Sequence, residues 1–275
     1  NNINFSTLNY IESLSKTEIM RRVETVSCSK PQSINSIENM RTILDKNGIV
    51  VIPEVFNFDK IKEIRRQISR IIQDVKIKDP LGTGYENDDY IVLGKKKIGK
   101  SYYDLSNYSK SAILVRQGSD QGMIEIFNAD RLLGDLGNSM NNFFNSDWLI
   151  SLLNDKKEKI SPKNLNLYVN QSITKTRGFH VDSHYKSIKV FIYLTDVNVV
   201  QDGPYCFVKG THVDTPLRKL NDMVGEKETP LTDPLNIVPV LGKKGTLIIS
   251  DQSGVHRGLP QATGSSREAL VMRYA

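Results

Sequence analysis

From about residue 123 onward the chain is built of short runs of Val, Ile, Phe and Tyr separated by Gly, Pro, Asp and Asn, after helical stretches near 130 to 154. The runs are Asn166 to Gln171, Gly178 to Asp182, Ser187 to Asp196, Tyr205 to Val208, Ile237 to Leu241, Thr246 to Ser250 and Ala269 to Tyr274. Each has the length and composition of a strand, and no helix-length segment intervenes regularly between them. The pattern predicts a mostly β antiparallel sandwich or jelly roll with flanking α-helices.

The first third reads differently. Asp59 is placed to cap a helix in which Ile61, Ile64, Ile68, Ile71, Ile72 and Val75 follow the three-four spacing of one buried face. Upstream, Asn35 and Glu38 resemble a capping box opening a helix to about Lys46; Gly48 then releases the chain into a strand, Ile49 to Ile52, closed by Pro53. Residues 76 to 122 carry Gly, Asp, Asn and Tyr without periodicity, which predicts long loops of the kind that form a lid. Residues 1–275 are expected to form one domain, with 1–160 as helical flank and lid loops and 164–275 as the β core.

Composition excludes several functions. At 39% hydrophobic and 25% charged, with no apolar run near the roughly 18 residues of a spanning helix, the chain reads as a soluble protein without a membrane role. Its polar first residues lack the pattern of a secretory signal, so a cytoplasmic location is expected. The formal charge of +6 is too evenly spread for a nucleic-acid surface and fits an acidic or carrier-linked small-molecule substrate, such as a coenzyme A thioester. The basic run Lys95-Lys96-Lys97 with Lys100 reads as a solvated loop. Cys28 and Cys206 are far apart and belong to no CxxC pair, so any metal must be held by nitrogen and oxygen.

Four histidines occur: His180, His184, His212 and His256. In Gly178-Phe179-His180-Val181-Asp182 the histidine and aspartate are two apart, so on a strand both project to one face. His256 follows a late strand by a short turn, and in a jelly roll a late strand can lie beside an early one. Two neutral imidazoles and one carboxylate on one face of an octahedron suit non-haem iron(II), although zinc accepts the same ligands. A zinc-dependent jelly-roll hydrolase or isomerase, or a metal-free binding protein of the same fold, therefore stays open at this point. Arg267, preceded by the turn Ala262 to Ser266, offers a planar guanidinium suited to a carboxylate.

Taken in order, these blocks resemble the phytanoyl-CoA dioxygenase family of iron(II)- and 2-oxoglutarate-dependent oxygenases. The likeness rests on Gly178 to Asp182, the strand Ser187 to Val197, Asp202-Gly203-Pro204 leading to Val208-Lys209-Gly210-Thr211-His212, and Lys244-Gly245-Thr246 through His256 to Arg267. It covers roughly residues 164 to 275, with the strand and helix near 49 to 75 similar in order only.

The resemblance implies a double-stranded β-helix of the cupin-like kind, with His180, Asp182 and His256 as catalytic iron ligands and Arg267 holding the outer carboxylate of 2-oxoglutarate. It implies hydroxylation of an unactivated C–H bond using molecular oxygen, with release of succinate and carbon dioxide. Desaturation, ring formation and epimerisation remain open, whereas retention of Asp182 argues against halogenation. Where some relatives place a serine two residues after the distal histidine, this chain has Gly258. A second carboxylate anchor must then come from elsewhere: Asn170 and Tyr168 share a face of one strand, and Phe191 and Lys189 share a face of the next. His212 is expected to be a turn residue hydrogen-bonded to backbone. His184 lies about 13 Å of extended chain from His180, too far for one metal, and is assigned either a role facing substrate or supporting a ligand, or that of a satisfied structural histidine.

Overall fold

The computed structural model describes residues 6–78, 90–93, 96–98, 110–116, 118–154 and 159–275. Three short helices come first: α1 (Thr7–Ser13), α2 (Lys16–Glu24) and α3 (Ile34–Asn47). The start of α3 corrects the expected cap. Ser33, not Asn35, accepts from the N–H of Ser36, and the Ser36 hydroxyl answers the N–H of Ser33, so a serine takes the part assigned to Glu38. Gly48 ends the helix in the left-handed conformation, φ 79°. A Cβ there would also sit 2.6 Å from Nδ1 of His212, so glycine is needed twice over. Strand β1 (Ile49–Ile52) follows with the predicted limits.

Helix α4 spans Phe58–Lys78, and Asn57, not Asp59, caps it by accepting from the Asp59 N–H at 2.7 Å. Its buried Ile61, Ile64 and Ile68 form the expected stripe. Each such side chain contributes about 1.5–3 kcal/mol by leaving water.

The described part of the region expected to be loops includes three strands, β2 (Tyr90–Leu93), β3 (Lys96–Ile98) and β4 (Ala112–Val115), beside turns at 118–122. Lys96 and Lys97 of the basic run are therefore in a strand, whereas Lys95, Lys100 and residues 79–89 and 99–109 lie outside the described residues. After β5 (Ile124–Phe127) come helices α5 (Asp135–Phe144) and α6 (Asp147–Leu153). The remaining elements are β6 (Pro162–Gln171), β7 (Ile188–Tyr193), β8 (Tyr205–Val208), α7 (Pro216–Val224), β9 (Ile237–Pro239), β10 (Leu247–Asp251), β11 (His256–Gly258) and β12 (Ser266–Tyr274). Gly178 to Asp182 is not a strand: Phe179 and His180 make single bridges, to Lys227 and His256.

Nine strands form an antiparallel sheet in the order β1-β10-β7-β12-β6-β5-β4-β2-β3, and a second sheet has the order β11-β8-β9. The chain is thus mostly β with flanking helices, in the manner of a jelly roll. Alternation along β6 explains the layering. Leu165, Leu167 and Val169 pack outward with α3 to α6, whereas Asn164, Asn166, Tyr168 and Asn170 turn toward the second sheet. Between the sheets lies a smaller apolar cluster that includes Phe191, Tyr193, Phe207 and Val238. No helix among the described residues is long and apolar enough to cross a membrane.

Candidate metal centre

Strand order brings the ligands together. The backbones of His180 and His256 exchange two hydrogen bonds, His180 N–H to the His256 carbonyl at 3.0 Å and the reverse at 2.9 Å. Asp182 is tied two residues on by its N–H to the Gln252 carbonyl, 3.0 Å. His180 Nε2 lies 3.4 Å from Asp182 Oδ1, and His256 Nε2 lies 3.7 Å from Asp182 Oδ2. One ligand atom from each of the three falls within 4.8 Å of the others.

The ring tautomers follow from the neighbours. His180 Nδ1 is 2.7 Å from the Gly178 carbonyl and His256 Nδ1 is 2.9 Å from the Gly254 carbonyl. A carbonyl can only accept, so each Nδ1 carries the proton and each Nε2 presents a lone pair. Two imidazole lone pairs and a carboxylate aimed at one point repel one another unless a cation sits between them. That donor set fits a divalent metal, and the Nδ1 bonds orient the rings as metal-bound histidines require.

Charge reinforces the arrangement. Enclosure by the cavity walls alone would raise the Asp182 carboxyl. The ammonium of Lys189, 2.7 Å from Oδ2, and contact with both imidazoles outweigh it and hold the group well below the usual carboxylate range. Burial pulls the His256 ring below the ordinary histidine value against the opposing pull of Asp182, which favours the neutral, metal-binding form.

The centre opens on a cavity of about 700 Å³, whose wall includes Tyr168, Asn170, Lys189, Phe191 and Arg267. Arg267 is 9% exposed, and one of its Nη1 donors goes to the Gly203 carbonyl. No acidic side chain among the described residues lies within salt-bridge range of it, so this buried cation lines the cavity without an acidic partner. Opposite it in the sheet register is Asn170, buried, with Oδ1 lacking a partner. Gly258 leaves room for the guanidinium: a Cβ there would be 3.3 Å from Arg267 Nη2.

His184 does not join the group. The chain bends at Asp182 and again at His184 and Tyr185, so the alternation expected of a strand is lost. Its side chain is 73% exposed and its Nδ1 lies 3.5 Å from Asp222 Oδ2 of α7, away from the cavity. His212 Nε2 donates to the Asp45 carbonyl at 2.9 Å, a turn residue held by backbone. Sequence reasoning missed Tyr205 and Gln252. The Tyr205 hydroxyl meets Ser250 Oγ at 2.8 Å and accepts from Gln252 Nε2 at 3.2 Å, and its ring lies 5.7 Å from that of His256. Their placement depends on cross-sheet pairing that no local motif encodes.

A family model for phytanoyl-CoA dioxygenase matches residues 44–269. The chain belongs to the phytanoyl-CoA dioxygenase family. A curated relative, the phytanoyl-CoA dioxygenase domain-containing protein 1 homolog of Caenorhabditis briggsae, is 22% identical over 269 residues, covering 86% of this chain and 90% of that protein. Among solved structures, HygX from Streptomyces hygroscopicus with nickel and 2-oxoglutarate bound superposes with a TM-score of 0.54 at 15% identity, covering 85% of each chain. The non-heme alpha ketoglutarate dependent epimerase SnoN from nogalamycin biosynthesis gives 0.51 at 16% identity, covering 88% of this chain and 84% of that one. These likenesses to solved structures show the shared fold. The family match begins within α3, so β1 and α4, recognised by order alone, fall inside it.

Proposed function

We propose that this protein is an iron(II)- and 2-oxoglutarate-dependent dioxygenase that hydroxylates an unactivated C–H bond of a small molecule, releasing succinate and carbon dioxide. The observation that carries this reading is the convergence of His180, Asp182 and His256 on one wall of a cavity that also holds the buried cation Arg267. When bound, iron(II) with 2-oxoglutarate and molecular oxygen supplies the oxidising power for the C–H bond.

The residues of the chain do the rest. His180, Asp182 and His256 would hold the metal through two imidazole nitrogens and one carboxylate. Lys189, 2.7 Å from Asp182 Oδ2, offsets the charge of that carboxylate and holds it in place. Arg267 grips the outer carboxylate of 2-oxoglutarate, and Asn170, with its amide turned, adds a second donor in place of the serine replaced by Gly258. Tyr168 lines the same end. Phe191 and Tyr205, with ring centroids 4.7 Å apart, form an apolar wall that keeps water from the reacting bond.

The test is anaerobic addition of iron(II) and then 2-oxoglutarate, watching for a visible charge-transfer band, followed by oxygen uptake and succinate release. Oxygen-independent turnover with zinc, or succinate formed at an undiminished rate by His180→Ala, would refute the reading. Inversion at the same C–H position is the second reading, supported by the likeness to SnoN. Product mass separates them, since hydroxylation adds one oxygen and inversion adds none.

A further inference from the structure

The cavity has a second polar region, away from Arg267, that metal and co-substrate do not use. Along β6 the inward residues are Asn164, Asn166, Tyr168 and Asn170. The register with β12 sets Arg267 opposite Asn170, Ala269 opposite Tyr168, Val271 opposite Asn166 and Arg273 opposite Asn164. Arg267 and Arg273 thus stand at opposite ends of the cavity floor, with Phe191 of β7 beside Val271 between them. From β5, Glu125, opposite Tyr168 in the register, turns into the cavity beside Asn166 with its side chain only 1% exposed.

These groups are connected. Arg116 Nη2 lies 3.2 Å from Glu125 Oε2, and Asn166 Nδ2 donates to Glu125 Oε1 at 3.2 Å. Arg273 Nη2 donates to Asn164 Oδ1 at 3.3 Å, and Asn164 Nδ2 donates to Asn128 Oδ1 at 2.9 Å. A carboxylate and two amides inside a barrel are expensive to desolvate, and Leu or Val would serve packing better. Each of the two cavity amides, Asn164 and Asn166, has two N–H groups and two lone pairs, and the bonds above and one from the Asn128 N–H occupy about half of them. Both side chains line the cavity.

We propose that Glu125, Asn164, Asn166 and Arg273 form a substrate subsite for a hydroxyl-rich ring, a glycoside or cyclitol, in preference to an acyl chain. Such a ring has an apolar C–H face and hydroxyls around its edge. The cavity matches both, with Phe191 and Tyr205 as an aromatic wall and the amide, carboxylate and guanidinium groups at the edge. Its volume of about 700 Å³ accommodates such a ring beside a dicarboxylate. An acyl chain would strip water from the same groups without replacing its hydrogen bonds, and sites of this kind reject a ligand lacking the hydroxyl far more strongly than hydrophobic pockets reject a size change. The proposal rests on the dioxygenase reading for the chemistry performed on that ring, but the binding itself requires neither iron nor oxygen.

The experiment is saturation-transfer NMR on the full chain with methyl glucoside and myo-inositol as probes, against octanoate and octanoyl-CoA. The polyols are expected to bind at least tenfold more tightly than either acyl probe, and Asn166→Leu is expected to weaken them tenfold or more. If Asn166→Leu loses its cooperative melting transition, Arg273→Met carries the same expectation. Acyl probes binding as well as the polyols, polyols that do not bind, or an affinity unmoved in a folded variant would each overturn the subsite. A missing charge-transfer band alongside intact polyol binding would defeat the dioxygenase reading and leave the subsite standing.

Discussion

At His180 and His256 one backbone hydrogen bond per ring decides what the other ring nitrogen can do. With Nδ1–H given to a carbonyl, Nε2 is committed to metal, and truncation removes a ligand that nothing nearby replaces. His180→Ala should therefore show no iron(II) uptake above background by calorimetry. Arg267→Ala belongs to a different class. It should leave the iron titration unchanged and raise the 2-oxoglutarate concentration for half-maximal turnover by about 10- to 100-fold, the loss of a charged hydrogen bond worth about 1.5–3 kcal/mol. An unchanged half-saturation point would place the carboxylate elsewhere. The two-residue spacing of His180 and Asp182 was legible in the sequence, whereas His256 and Arg267 were assigned their roles through the family resemblance, because pairing between remote segments leaves no local pattern. Lys189 was noticed, but its bond to Asp182 was not, because one residue of register decides whether it faces in.

Elements record the same division between local and remote causes. The left-handed Gly48 and the uninterrupted apolar runs of β1 and β8 could be read directly, since backbone conformation and residue composition are local properties. Strands β2 to β4 could not be, for their four or fewer residues become strands only through pairing that passes along the sheet to β5 and β6. The caps slipped because Ser, Asn and Asp compete within a few positions and packing chooses among them. Ser33→Ala, losing one cap, should cost about 1 kcal/mol and lower the melting midpoint by roughly 2–4 °C. Gly48→Ala should cost more, since it meets both an unfavourable φ and the His212 ring. Calorimetric melting orders the two, and the reverse order would contradict the role given to Gly48.

Across the whole molecule the two thiols report on integrity. Burial pushes Cys28 up to about 11 and Cys206 up to about 12, so at pH 8 the thiolate of Cys206 is on the order of one in ten thousand. Each unit of pH raises the thiolate fraction about tenfold, but it stays a small minority until the pH approaches those values. Alkylation of Cys206 at pH 8 should therefore follow global unfolding, whereas Cys28, half-buried, should react first. Peptide mass spectrometry over a denaturant series checks the order, and prompt labelling of Cys206 in native protein would contradict its place in the core.

The two-way main-chain clasp between His180 and His256 has a practical outcome for anyone handling the enzyme. Because peptide groups, and not the ion, hold those rings side by side, stripping the protein with a chelator should leave the socket's shape in place. Reloading should then be quick, and a redox-silent ion such as nickel should seat in the same grip, arresting the enzyme with its co-substrate aboard.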